Sequence, residues 1–139
     1  MSVFLKRGRS VIEYWPKKAS TTMTANSFVR PDGSGFLTNA SAASTRILGV
    51  LMINIASTDA DFAATTKVPV EVPLGDCDFE ADVTGTLTTA MVGETRDLSD
   101  ALLVDAAGTS HNQVTIKEFI SATKAIIKIN GSYVYKNAA

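Results

Sequence analysis

Hydrophobic and polar positions in this chain recur with a period of two, the spacing of a strand, and not with the 3.6 of a helix. Lys67-Val-Pro-Val-Glu-Val-Pro73 puts Val68, Val70 and Val72 on one face and Lys67, Pro69, Glu71 and Pro73 on the other. Proline donates nothing to a ladder, so this pattern predicts an edge strand. Asp76-Cys-Asp-Phe-Glu-Ala-Asp-Val83 alternates as cleanly, with Cys77, Phe79, Ala81 and Val83 inward and the acids outward. From Arg46 to Ser57 the chain is apolar on both parities, which predicts a strand covered on both faces.

Shorter strands are expected at Phe36–Thr38, Thr86–Val92 and Ala101–Asp105. The first follows a turn at Arg30–Gly35, where Pro31 presets φ and Gly33 and Gly35 tolerate positive φ. Gln113–Ile120 and Lys124–Ile129 predict a hairpin around Ser121–Thr123. Asn130-Gly131 predicts a further turn into Ser132–Lys136. No segment sustains a helical period with caps; a single helical turn is expected near Asp59–Ala64 or Leu98–Leu102 at most. Many short strands, spaced about 8–12 residues apart, predict an all-β fold. The expectation is a compact β-barrel or β-sandwich over residues 27–139, with an extended N-terminal arm over residues 1–26. The arm has two possible courses: it folds as a first strand of the domain, or it extends over a neighbour.

Composition agrees with strands and removes several classes. The chain has 139 residues, one domain's worth, and 18 Ala, 12 Ser and 16 Thr make up a third of it. One cysteine, Cys77, cannot form an internal disulfide, and with the one histidine, His111, it cannot build a Cys/His zinc site. The apolar run Ile47–Ile53 falls far short of the roughly 20 residues of a membrane span. The N-terminus places Phe4 and Leu5 before its basic group, the reverse of a secretory signal. The expectation is a soluble protein made in the cytoplasm, with no membrane partner.

A formal net charge of −1 hides an uneven layout. Residues 1–18 carry Lys6, Arg7, Arg9, Lys17 and Lys18 against Glu13, whereas residues 59–105 carry eleven acids against Lys67 and Arg96. A basic start and an acidic middle suggest an electrostatic partner, either another protein or the acidic segment of a neighbouring copy. The basic residues, with Tyr14 and Trp15, are the candidate partner-binding set. Direct nucleic-acid binding is not expected, because the basic segment is short and the remaining chain is acidic.

Candidate chemistry is thin. Asp76, Asp78, Glu80 and Asp82 would line one strand face and could hold a cation, but Ala81 stands where an EF-hand loop needs glycine. A charged face, solvated or turned to a partner, is the better reading, and no metal site is assigned. Ser110-His111 lies in a polar loop, and adjacent residues rarely form a nucleophile–base pair. Cys77 sits among acids that oppose thiolate formation. Tyr133 and Tyr135 have no basic residues interleaved with them, so they read as core or interface and not as base-stacking groups. No catalytic residue and no cofactor is expected.

Two stretches carry a resemblance. Arg46-Ile-Leu-Gly-Val-Leu-Met52 follows a loop of small residues. Met91-Val-Gly-Glu-Thr-Arg-Asp-Leu-Ser-Asp100 leads to Leu103-Val-Asp105 and then to Ile120-Ser-Ala-Thr-Lys-Ala-Ile-Ile-Lys-Ile-Asn130. Over roughly residues 28–130 these resemble the small head decoration, or capsid cement, proteins of tailed bacteriophages. The resemblance implies a β-barrel-like structural protein on the capsid exterior of the virion. Such a protein binds the major capsid protein where subunits meet, as a trimer or other symmetric homo-oligomer, and stabilises the shell. The arm departs from the pattern, which leaves its mode of docking open. The alternatives are another phage virion β domain of tail, baseplate or head fibre, and a nucleic-acid-binding β-barrel.

Overall fold

The computed structural model describes residues 3–44, 47–75 and 77–130. The strands are β1 (Val3–Arg7), β2 (Ser10–Pro16), β3 (Phe28–Pro31), β4 (Leu37–Asn39), β5 (Gly49–Leu51) and β6 (Lys67–Pro73). They continue as β7 (Asp78–Thr84), β8 (Thr95–Asp100), β9 (Leu103–Asp105), β10 (Val114–Ser121) and β11 (Lys124–Ile129). The protein is all-β. One sheet runs β1-β7-β11-β10-β8-β9, and parallel pairing of β7 with β9 closes its last five strands into a barrel. Strand β1 is the extra strand: it shares one edge of β7 with β9, β1 along Asp78–Ala81 and β9 along Asp82–Thr84. The second sheet runs β2-β6-β5-β3-β4, all antiparallel.

Residues 3–16 take the first of the arm's two expected courses and serve both sheets. Val3–Arg7 pairs with β7 in the barrel, and Ser10–Pro16 pairs with β6 in the second sheet. Together they form a long antiparallel ribbon against residues 67–73 and 78–81, bent where the chain changes sheet. At the bend Gly8 and Gly75 have φ of 91° and 74°, a region glycine enters without strain. Arg9 O accepts Leu74 N–H and the Cys77 thiol there, each at 2.9 Å.

Two cores result. Phe79, Ala81, Val83, Leu98, Val114, Ile116 and Ile127 fill the barrel, and Phe28, Ala40, Ile47 and Val50 of the second sheet join them. The other face of that sheet packs Val29, Leu51, Val68, Val70 and Val72 against Met23, Leu37, Leu48 and Ile55. Gly49, Val50 and Leu51 are therefore buried on both faces, but the doubly covered strand expected over Arg46–Ser57 shrinks to these three residues, because the sheet ends there and leaves Met52 and Ile53 exposed. A Cβ at Gly49 would collide with the Glu71 carbonyl, so glycine is what lets β5 approach β6.

Three further expectations are corrected. Strand β6 is not an edge, because it lies between β2 and β5. Its prolines are tolerated because β5 pairs only with Val70 and Glu71, so neither Pro69 nor Pro73 owes it a donor. Thr86–Val92 is a loop with a 3₁₀ turn at Thr89–Met91, set between Gly85 and Gly93 with φ of 87° and 88°. Its Leu87 is buried in the barrel core. Leu98 is not in a helical turn but in β8, with its side chain in that core. Asp59–Ala64 is a run of i→i+3 turns: Phe62 N–H bonds Asp59 O, and Ala64 N–H bonds Asp61 O. The turn and strand expected over Asn130–Lys136 lie, beyond Asn130, outside the described residues.

Candidate functional site

The barrel's outer face carries the alternating acids of β7. Arg7 Nε donates to Asp78 Oδ2 at 2.9 Å, and its Nη2 pairs with Glu118. Lys6 Nζ lies 3.6 Å from Glu80, and Lys117 Nζ lies 3.9 Å from Asp78. Lys124 Nζ is 3.6 Å from both Glu80 and Asp82. The hydrogen bonds it donates to Glu118 first, then to Asp78, hold the Arg7 guanidinium more firmly protonated. Lys6 and Arg7 thus meet within one chain the acids that were expected to attract them in a neighbouring copy. Asp76 lies outside the described residues.

Lys17 is withdrawn from the partner-binding set. It is only 1% exposed, and its Nζ donates to the carbonyls of Asp61, Phe62 and Ala64 at 2.9, 3.1 and 2.6 Å. The chain turns inward at Lys17 because β2 there bridges to Leu37 of β4, curling the second sheet towards closure. Lys18 N–H donates to Leu37 O at 2.9 Å. Trp15 packs against the second core while its Nε1 donates to Glu13 at 2.9 Å. Of the seven candidates, Arg9, Tyr14 and Lys18 remain exposed without an ion pair among the described residues.

Those three border a surface that charge counting misses. Strand β2 is an edge. Arg9 O and Lys17 N–H face β6, so the odd-numbered residues of β2 bond inward. The even-numbered residues aim outward, as Lys18 N–H to Leu37 shows. Between them the outward N–H and C=O groups of Ser10, Ile12 and Tyr14 have no hydrogen-bond partner among the described residues. The side chains of Ile12 and Tyr14 share one face and are 51% and 65% exposed. Tyr14 pairs with Pro69, whose carbonyl accepts Met52 N–H at 3.2 Å, so exposed Met52 continues the same row. Ile12 pairs with Glu71, and Ser10 Oγ donates to Glu71 at 2.9 Å. The sequence signal for this patch was the period-two pair Ile12 and Tyr14, obscured by equally apolar Val11 and Trp15 on the opposite parity.

Elsewhere the polar groups are structural. Asp97, 6% exposed, accepts N–H bonds from Ser110 at 2.8 Å and from His111 and Asn112 at 2.7 Å. Burial alone would raise its pKa, but the N–H groups of His111, Asn112 and Ser110 outweigh burial and hold it below the usual carboxylate value. His111 Nδ1 lies 3.7 Å from Asp97, and Ser110 contributes its backbone N–H, so this pair holds a loop in place. Gln113 Oε1 accepts Leu98 N–H, and its Nε2 donates to the Ser41 and Ser44 carbonyls, tying the barrel to the second lobe. Burial, foremost, pushes the Cys77 thiol up, with Glu71 and Asp78 adding to it. A cleft of about 360 Å³ between the lobes is lined by small polar side chains of Thr22, Thr24, Ser27 and Asn39, with Asp100. Among the described residues no three His, Cys, Asp or Glu side chains are placed to hold a metal ion.

No protein-family model matches this chain, and no curated protein sequence matches it.

Proposed function

We propose that this protein is a structural virion component that decorates a phage capsid, docking on the shell through the open edge of its second sheet. The observation that carries the reading is the Ile12–Tyr14 edge: free backbone groups beside exposed apolar side chains, on a body with two hydrophobic cores. Edge strands are normally blunted with charge or proline; β2 has proline only at its far end, Pro16, and its one charged side chain, Glu13, lies on the opposite face from Ile12 and Tyr14. The β-barrel fold and the resemblance of residues 28–130 support the same reading. On this view the partner is the major capsid protein on the capsid exterior, and several copies surround each symmetry axis as a homo-oligomer.

The test is co-sedimentation with purified mature heads that lack the protein. Binding should saturate at a fixed ratio to capsid protein, set by the symmetry of the shell. Absence of binding at any salt concentration, with binding to tails instead, would move the protein to the tail or baseplate. Binding to single-stranded nucleic acid is not favoured: Lys6 and Arg7 are taken up by acids, and Lys17 is buried.

A further inference from the structure

We infer that the Ser10–Tyr14 edge receives an extended, acid-ended segment of a partner protein, which adds to the second sheet as a sixth strand. The inference rests on the docking role proposed above and specifies its chemistry. Strand addition requires free donors and acceptors in register, and β2 offers them at Ser10, Ile12 and Tyr14. It stops at Lys18, where β4 already occupies the edge. Charge decides the kind of strand. Glu13 and Glu71, the acids at the middle of this edge, are held by neutral donors, Trp15 Nε1 and Ser10 Oγ, which satisfy a carboxylate without supplying a countercharge. The cations stand at the ends: Arg9 at one, and Lys18 and Lys67 at the other, where Lys67 pairs with Pro16. All three are exposed, and none makes an ion pair among the described residues; Lys18 acts on Asp32 only through space. The outward row of Ile12 and Tyr14 is thus apolar, with Glu71 beside Ile12 and Glu13 on the opposite face, and both ends of the edge are positive. Such an edge suits a segment with β-branched side chains in the middle and a carboxylate at each end, and it repels a basic one.

The experiment titrates the full-length, ¹⁵N-labelled protein with the peptide acetyl-Asp-Val-Thr-Val-Thr-Val-Asp-amide, and with the same peptide carrying Lys for Asp. The acid-ended peptide should slow exchange of the Ile12 and Tyr14 amides at least about tenfold. The Val11 and Glu13 amides, already bonded to β6, should be unchanged. Added salt should weaken binding, and the Lys-ended peptide should not bind. Ile12→Pro removes an outward N–H without touching the β6 ladder, so it should melt like the wild type and lose the peptide. A double variant, Arg9→Glu with Lys18→Glu, should reverse the preference towards the Lys-ended peptide. Equal binding of both peptides, no protection at Ile12 and Tyr14, or unchanged binding by both variants would overturn the inference. Self-association that Ile12→Pro abolishes would assign the edge to a second copy and overturn it as well. The docking role fails separately: peptide protection without co-sedimentation removes the capsid, whereas co-sedimentation that survives both variants removes the edge.

Discussion

Each lobe holds a buried ion answered by backbone groups, and the two have opposite signs; the barrel lobe also buries Arg96, which instead meets a countercharge, Glu94, at 2.7 Å. In the second lobe Lys17 gives its ammonium to three carbonyls of the 61–64 segment. In the barrel lobe Asp97 takes three N–H groups of the 110–112 segment. In both cases the ion is matched by backbone dipoles and not by a countercharge in hydrogen-bond contact, so each one fastens a loop to a sheet. They differ in depth and in chemistry. Lys17 is buried almost completely on a long apolar stem, against acceptors that do not titrate. Asp97 lies nearer the surface on a short stem, and it is itself the group that acid neutralises. Charge position along a chain thus says little about charge availability: the basic N-terminus supplies one buried anchor, two barrel-face cations and, near the β2 edge, two cations without an ion pair among the described residues.

Lys17→Ala should have the largest effect. It leaves three carbonyls unsatisfied and opens space in the second lobe, at an expected loss of about 3 kcal/mol, read from denaturant unfolding. A near-neutral result would mean that water replaces the ammonium and that the two anchors are not equivalent. Asp97→Asn should cost less, about 1–3 kcal/mol, because the amide still accepts on one oxygen but turns an NH₂ towards a third donor.

The pH dependence separates the anchors. The folded pKa of Asp97 is depressed, so its stabilisation is complete above the unfolded-chain value of about 3.9 and is lost as pH falls through the lower folded value. Acid should therefore expose the Ser110, His111 and Asn112 amides to exchange before the second core opens, and Asp97→Asn should flatten that dependence. The smallest effect belongs to the open edge. Tyr14→Ser should change stability by no more than about 0.5 kcal/mol, since the ring is mostly in solvent, while reducing head binding. A large stability loss there would mean that the ring is structural and the edge closed.

Local pattern made much of the fold legible. Val68, Val70 and Val72, and Cys77, Phe79, Ala81 and Val83, are buried where their alternation places them. The β10–β11 hairpin also follows from residue order alone, and the double covering expected over Arg46–Ser57 holds for Gly49–Leu51 but not for Met52 and Ile53. Period-two burial is a property of the strand itself, independent of which strand lies beside it. Of the candidate site, Tyr14, Arg9 and Lys18 were legible as an exposed aromatic and two cations, but Ile12, Pro69 and Met52 were not.

Residue order fixes the inward parity of strands such as β6 and β7, because steric preference and the cost of burying polar groups act residue by residue. Residue order leaves open which strands are edges, which lysine is interior and which acids are already answered. Those depend on partners far apart in the chain: Arg7 reaches Asp78 and Glu118, Lys17 reaches the 61–64 carbonyls, and β2 covers one side of β6 while leaving its own outer side open. No local propensity encodes such a pairing, since it is chosen by the free energy of the whole assembly of strands.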